Sequence, residues 1–163
     1  MLHAGPAVVV IGVGNPDRGD DGTGPAVARQ VRAALTAGGL PQSRDIRVLE
    51  CGGEASTLME AWDGAPTVIL IDAVRSGTPP GHVHRIDAHC QPIPDSGVRP
   101  STHAFGVAEA MALGRALGRL PARLILYGIE GKAFDAGTGL SAEVAAAIPT
   151  AAARVVADVI SPI

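Results

Sequence analysis

The sequence is poor in aromatic residues: one Trp, one Tyr and two Phe occur among 163 residues, or 2% of the chain. A core large enough for one domain must therefore be built from Ala, Val, Leu and Ile, as when helices pack on a sheet. With 47% apolar and 18% charged residues, the composition excludes a disordered chain. Its length and the lack of any linker predict that residues 1–163 form a single domain.

Basic residues are also scarce. Lys132 is the only lysine, no Lys/Arg cluster occurs, and the formal net charge is −3. A protein that binds phosphate backbones needs a basic surface. We therefore expect no nucleic-acid partner.

Long apolar runs and cysteine motifs are missing as well. No apolar run approaches the ~20 residues of a membrane span, and the first residues lack the basic flank and cleavage site of a signal peptide. Cys51 and Cys90 form no C-x-x-C motif and are too few for a disulfide scaffold. We expect a cytoplasmic protein in a reduced state, without membrane contact.

What the sequence does contain is a regular alternation of apolar runs and amphipathic segments. The runs predict strands over residues 7–13, 46–51, 67–72, 82–87 and 124–129. The segments between them predict helices over residues 24–37, 57–62 (capped by Ser56), 102–118 and 141–148 (capped by Ser141), and a last helix in the Ala/Val-rich C-terminus. Residues 88–100, with three prolines, predict an irregular loop. The fold class is α/β: a single-domain three-layer sandwich, with a mainly parallel twisted sheet of about five strands and helices on both faces.

Polar residues that directly follow apolar strands indicate where the site lies, because ligands of open α/β sheets bind beyond the carboxyl ends of the strands. Asp21, Asp72 and His103 follow three different strands or precede a helix, and they can converge on one rim. Two carboxylates and an imidazole suit a divalent metal such as Ni, Zn or Mn. The pattern is weak alone, because an Asp at a strand end more often caps a helix or bonds a loop, and His103 beside Ser101 suits a capping or surface role.

Residues 12–24, GVGNPDRGDDGTG, form a glycine-rich turn between a strand and a helix. They open like the dinucleotide fingerprint G-x-G-x-x-G, but Asp17 replaces the last glycine, and Asp20 and Asp21 stand where a pyrophosphate would have to bind. No P-loop motif occurs. The first five residues resemble the opening of peptidyl-tRNA hydrolases, but the similarity stops there. The turn therefore predicts a cation site, not a phosphate site.

Other reactive side chains have ordinary interpretations. No G-x-S-x-G elbow is present. Cys51 follows a strand but has no assignable His partner, so a buried structural thiol is expected. His82 and His84 share one face of an edge strand, which predicts a solvated pair more readily than a metal site.

The same turn resembles the signature of the hydrogenase maturation endopeptidases, which reads G-[IV]-G-N, a short variable stretch, then D-[DE]-G-x-G. The similarity continues through ECGGEASTLMEAW, TVILIDAVRSG, STHAFGVAEAMALGRALGRLP and LILYGIEG. It covers most of the chain in the same order.

This resemblance implies an endopeptidase that removes the C-terminal extension of a [NiFe] hydrogenase large-subunit precursor after nickel insertion. The family's three metal-contacting positions fall on Asp21, Asp72 and His103, the residues that the strand-end argument selects. The resemblance further implies that nickel is supplied by the substrate, so no metal is expected to be tightly bound to the free protein, which we expect to be a monomer. A non-catalytic nickel-binding docking protein of hydrogenase assembly would use the same ligands and remains an alternative, as does, less strongly, a peptidyl-tRNA hydrolase-like enzyme.

Several roles remain open at this stage. Some relatives have Glu where this chain has Asp21, and their D-G-G-T element reads Cys51-Gly52-Gly53-Glu54 here, so Glu50, Cys51 and Glu54 receive no role. Asp20 is expected to stabilise the turn and the N-terminus of the following helix. The nickel could be an anchor alone or also a Lewis acid, and Asp21 or Asp72 could act as general base.

Overall fold

The computed structural model describes residues 5–40, 45–91 and 104–161, with the side chains of residues 104 and 105 left out. Its strands are β1 (Val8–Val13), β2 (Ile46–Cys51), β3 (Thr67–Val74), β4 (Val83–Asp87) and β5 (Arg123–Glu130). Its helices are α1 (Thr23–Ala37), α2 (Ala55–Trp62), α3 (Ala104–Ala116) and α4 (Ala142–Ile160), and a short 3-10 turn over Gly19–Gly22 precedes α1.

These five strands form one sheet in the order β2-β1-β3-β5-β4. All neighbours pair in parallel except β4, which runs antiparallel to β5 at one edge. The chain moves from β1 to β2 on one side and then to β3 on the other side of β1. The order therefore reverses between β1 and β3, which is where ligands bind in folds of this type.

Helices cover both faces of the sheet, as predicted. Alternate residues of the buried strands point to opposite faces. One set, which includes Val10, Ile69 and Ile125, packs against α1 and against α4, where Val155 lies. The other set, which includes Ile11, Leu70 and Leu126, packs against α3 and against α2, where Trp62 lies. The predicted three-layer α/β fold with about five mainly parallel strands is confirmed.

The C-terminal part of the chain differs from the prediction of two helices. α4 runs without interruption from Ala142 to Ile160, with Pro149 inside it. Proline removes one helical hydrogen bond, here to the carbonyl of Ala145. Both residues are exposed, so water can satisfy that carbonyl, and the helix continues. Despite this length, none of the helices in the described ranges is long and apolar enough to cross a membrane.

Two other boundaries differ. β3 continues to Val74, so Asp72 lies inside the strand and not at its end. α2 begins at Ala55 after Glu54, so the prediction that Ser56 caps it is wrong: Ser56 is already its second helical residue. Residues 92–100 of the predicted loop, and the first two residues of the helix predicted from residue 102, lie outside the described residues.

Glycines in the turn let α1 approach the sheet closely. A Cβ placed on Gly24, in the first turn of α1, would lie 2.2 Å from the carbonyl oxygen of Val13 and 2.5 Å from that of Ile71. A Cβ on Gly12 would lie 2.4 Å from the carbonyl oxygen of Gly24. These contacts are with backbone atoms, so no rotamer change relieves them. The N-terminus of α1 thus rests directly on β1 and β3.

We expect Gly24→Ala to lower the free energy of unfolding by about 3 kcal/mol, because α1 must move away from the sheet. Gly139→Ala is the matched control: a Cβ there meets no atom within 4 Å, and its φ is not positive. Its effect should stay within about 0.5 kcal/mol. Urea unfolding measures both, and equal stabilities would contradict the close-approach argument.

Candidate active site

The turn after β1 folds back so that Asp21 faces the end of its own strand. Gly14 has a φ of +141°. A Cβ on Gly14 would overlap the carbonyl oxygen of Asp21, because the two atoms would be only 1.9 Å apart. The backbone N–H of Asn15 donates to Asp21 Oδ2 at 3.0 Å. Glycine at position 14 therefore allows the acid to return to the carboxyl end of β1.

Asp20 has a different task from its neighbour. Its side chain is fully buried and accepts hydrogen bonds from the backbone N–H groups of Lys132 (2.7 Å), Ala133 (2.9 Å) and Ser141 (2.7 Å). The Ser141 hydroxyl donates a fourth, at 2.9 Å. Burial alone raises the pKa of Asp20, but these hydrogen bonds outweigh it and hold the pKa below its usual value. Asp20 is thus a charged anchor for the loop between β5 and α4.

This arrangement changes two predictions. The expectation that Asp20 stabilises its turn is confirmed, but the helix start that it holds is that of α4 and not that of α1. Ser141 does occupy the N-cap position of α4, yet its side chain makes no capping hydrogen bond. The hydroxyl is used by Asp20 instead.

Asp72 lies in β3 on the sheet face that α2 and α3 cover, between β1 and β5. It is only 5% exposed. Burial raises the pKa of its carboxyl well above the usual range, and the charge of Asp21 raises it further, while a hydrogen bond from the Ala73 backbone offsets part of the effect. Both burial and the charge of Asp21 thus oppose ionisation of Asp72 in the free protein.

Asp21 and Asp72 therefore form a buried acidic pair at the point where the strand order reverses. Asp21 is also 5% exposed, and its charge acts directly on Asp72. Two carboxylates that repel each other in a poorly solvated site bind a divalent cation readily, because the cation removes the repulsion. The oxygen donors suit a hard or borderline metal ion.

His103, the third predicted ligand, lies outside the described residues. α3 begins at the next residue, and its first turn packs against the segment after β2: a Cβ on Gly106 would lie 1.4 Å from the carbonyl oxygen of Gly53. Within the ranges the structure describes, no group of three His, Cys, Asp or Glu side chains could hold a metal ion. The structure thus brings Asp21 and Asp72 together, and the complete ligand set remains a prediction.

The other acids near the rim have structural partners or face solvent. Glu50 pairs with Arg29 at 2.8 Å on the surface, and Glu54 is exposed at the start of α2. Glu130 is 2% exposed and accepts hydrogen bonds from the N–H groups of Ser76 and Gly77 and from the Ser76 hydroxyl. Burial raises its pKa, but these bonds outweigh burial and lower it. The sequence alone does not reveal this role, because the partners of Glu130 lie over 50 residues earlier.

The cysteine and histidines also have ordinary roles. Cys51 is half-buried, and burial raises the pKa of its thiol more than the nearby charge of Arg47 lowers it, which favours the neutral thiol over a nucleophilic thiolate. His84 lies 3.1 Å from the Thr78 hydroxyl and 3.5 Å from Glu130, with the His82 ring packed edge-on against it. The predicted solvated pair is thus only half right: His82 is exposed, but His84 joins the cluster around Glu130.

A second buried carboxylate cluster lies on the other face of the sheet, where α4 packs. Asp158 of α4 accepts two hydrogen bonds from Arg85 (2.7 and 2.9 Å), one from Arg123 (3.2 Å) and one from the Tyr127 hydroxyl. Burial and this hydrogen bond raise the pKa of Tyr127 to about 12. Asp158, Arg85 and Arg123 each have a partner of opposite charge within the cluster. The cluster therefore holds α4 against the edge of the sheet and is not a candidate site.

Similarity to known proteins first defines the class. The fold matches that of the hydrogenase maturating endopeptidase HybD from E. coli with a TM-score of 0.78 and 24% identity, over 93% of this chain and 91% of that one. It also matches the [NiFe] hydrogenase maturation protease HybD from Thermococcus kodakarensis with a TM-score of 0.68 and 26% identity, over 94% of this chain and 99% of that one.

The sequence then identifies the family. Residues 30–158 match the model of the hydrogenase maturation protease family, so the chain belongs to that family. A curated relative, the hydrogenase expression/formation protein HupD from Thiocapsa roseopersicina, is 26% identical over 82% of this chain. The chain spans 58% of that relative's length. The family match includes Asp72 and begins after Asp21, so the case for Asp21 rests on the geometry of the turn.

We expect Asp20→Asn to lower the free energy of unfolding by about 3 kcal/mol, since it places an amide NH₂ among donors and removes a charge that accepts four hydrogen bonds. Because the folded pKa of Asp20 is lowered, its stabilisation is present above the unfolded value of 3.8 and is lost as pH falls through the folded value. Denaturant unfolding between pH 3 and 7 measures both effects. Asp17→Asn, an exposed acid in the same turn, is the control and should change little.

We expect Asp72→Asn to raise the melting temperature by several degrees at neutral pH. The folded pKa of Asp72 is raised, so the native state holds its proton more tightly than the unfolded chain, and stability falls as pH rises from the unfolded value of 3.8 through the folded value. Asn cannot ionise, so the variant does not lose stability in this way as pH rises. The melting temperatures of variant and wild type should therefore converge at acid pH. Thermal unfolding at several pH values tests this, and a variant less stable than wild type at every pH contradicts it.

Proposed function

We propose that this protein is an endopeptidase that removes the C-terminal extension of a [NiFe] hydrogenase large-subunit precursor after nickel insertion. In this proposal it acts as a monomer in the cytoplasm. Membership of the hydrogenase maturation protease family supports the activity. The similarity to the [NiFe] hydrogenase maturation protease HybD from Thermococcus kodakarensis supports the class of substrate.

The observation that carries the proposal is the acidic pair at the reversal point of the sheet. Asp21 and Asp72 are each only 5% exposed, and the charge of Asp21 raises the energy of the charged form of Asp72. Buried acids whose charged form is disfavoured by a second acid are common at functional sites, and a bound cation removes the repulsion. Asp20, next to Asp21, differs from the pair, because its carboxylate accepts hydrogen bonds from groups within the fold.

In the proposed complex the nickel belongs to the substrate. Asp21, Asp72 and His103 would supply three ligands on one side of it and leave the other positions to the precursor. The precursor's nickel supplies an anchor and a Lewis acid near the scissile peptide bond. Recognition of the metal then restricts cleavage to precursors that are already loaded.

Asp72 supplies a proton-linked step in this scheme. Its raised pKa favours the neutral acid in the free protein, and docking of a cation favours its carboxylate. The released proton leaves a base within a poorly solvated site. Either Asp72 or Asp21 can then accept a proton from an attacking water. Metal-dependent docking of the Asp72 variant and of the Asp21 variant distinguishes the two possibilities.

We expect Asp21→Ala, Asp72→Ala and His103→Ala each to reduce processing of a nickel-loaded large-subunit precursor by about 100-fold or more, because each removes a contact to the metal or the base. The loss of mass from the precursor measures processing. Asp17→Ala is the matched control, since it removes an exposed acid from the same turn, and it should process normally.

Normal processing by all three variants would contradict the site. A stable complex with wild-type protein and no loss of mass would instead indicate a non-catalytic docking protein. Elemental analysis of the purified protein checks the source of the metal: one Zn per chain would contradict substrate-borne nickel and indicate an autonomous metallohydrolase.

A further inference from the structure

Arg75 is the first residue after β3, three residues beyond Asp72, and its side chain is exposed. Its guanidinium carbon lies 4.6 Å from the centre of the Phe134 ring, which is cation–π geometry. No carboxylate in the described part of the chain forms an ion pair with it. By contrast, the exposed Arg119 pairs with Asp63 at 2.8 Å.

The segment that carries Arg75 is fixed by a buried carboxylate. Glu130 accepts the N–H groups of Ser76 (2.7 Å) and Gly77 (2.9 Å) and the Ser76 hydroxyl (2.7 Å). His84 adds a contact to Thr78 in the same segment. Four hydrogen bonds or polar contacts therefore hold the segment that follows Arg75. The guanidinium is not needed to hold this segment in place.

The segment that carries Phe134 is fixed by the other buried carboxylate, Asp20, through the N–H groups of Lys132 and Ala133. Phe134 packs over Gly131: a Cβ there would lie 2.4 Å from Phe134 Cζ and 3.2 Å from Asp20 Cβ. The ring under Arg75 is thus separated from Asp20 by a single glycine. Arg75 follows β3 directly and Asp72 lies near the end of the same strand, so both are at the carboxyl edge of the sheet.

A positive group in this position complements the acids. The pair repels acidic parts of a substrate and attracts a cation, whereas Arg75 presents a planar fork of N–H donors that matches a carboxylate. Its stacking on Phe134 reduces the side-chain entropy lost on binding. The rim thus offers one place for a metal ion and an adjacent place for an anion.

We propose that Arg75, stacked on Phe134, binds a carboxylate of the precursor's C-terminal segment while Asp21 and Asp72 face the metal. The inference rests on the proposed function and adds a second contact that fixes the direction of the extension across the rim. The carboxylate comes from an acidic side chain of the extension or from its terminal carboxyl group. Arg75 is a substrate-binding residue in this scheme and takes no part in the chemistry.

Arg75→Gln tests the proposal, with the nickel-loaded precursor as the probe and with binding and cleavage measured separately. We expect KM and the dissociation constant to rise about 10-fold with little change in kcat, because the lost contact is the same in the ground and transition states. Phe134→Leu should give a smaller rise. Arg115→Gln, at the far end of α3, removes the same charge and should have no effect.

Two modified precursors identify the source of the carboxylate. One has the acidic side chains of the extension replaced by amides, and the other has an amidated C-terminus. With the precursor that lacks the relevant carboxylate, wild type should lose affinity about 10-fold and Arg75→Gln should lose nothing more. Full retention of the Arg75 effect with both precursors would overturn the carboxylate assignment.

The outcomes separate the two proposals. Cleavage with the same KM for wild type and Arg75→Gln overturns the subsite and leaves the proposed function intact. Binding that depends on Arg75, without cleavage by wild type, supports the subsite and overturns the endopeptidase proposal. Unchanged thermal unfolding of Arg75→Gln shows that any effect is not a folding defect.

Discussion

The buried charge of Asp20 is the interaction on which the rest of the rim depends. One carboxylate, taken wholly out of solvent, gathers three backbone N–H groups and a hydroxyl from the loop between β5 and α4. In return, the loop holds the turn after β1, which carries Asp21 at the end of the sheet. The segment of Phe134 is fixed by the same anchor, and Arg75, whose own segment is held by Glu130, stacks on that ring.

Asp20 and Asp72 thus have opposite energetic roles. Asp20 is buried and satisfied, so its charge strengthens the fold. Asp72, which meets the charge of Asp21, is buried at a cost that the free protein bears. Functional sites commonly keep such unfavourable groups in place by surrounding them with well-satisfied ones. Here the satisfied acid, Asp20, is the direct neighbour of Asp21, one member of the pair.

The sequence was sufficient for the fold class and for part of the site, because these depend on local patterns. The β-branched run of β1 and the apolar run before Asp72 identify buried strands, and acids that follow such strands are few. The strand order, the partners of Glu130 and the cluster around Asp158 could not be predicted, since each joins residues far apart in the chain. The prediction that Ser141 caps its helix follows from local rules, which offer it no other partner. The predicted helix ends at residue 148, just before Pro149, because the sequence does not show that this proline and the carbonyl it leaves free face solvent.

The contacts of Asp20 span 112 to 121 residues of the chain. During synthesis, the turn that contains Asp21 leaves the ribosome early, but the donors that shape it arrive only after β5 is complete. Long-range contacts of this kind form late in folding. The pair of Asp21 and Asp72 is therefore assembled at the end of synthesis, and an incompletely folded chain lacks this arrangement of its acids.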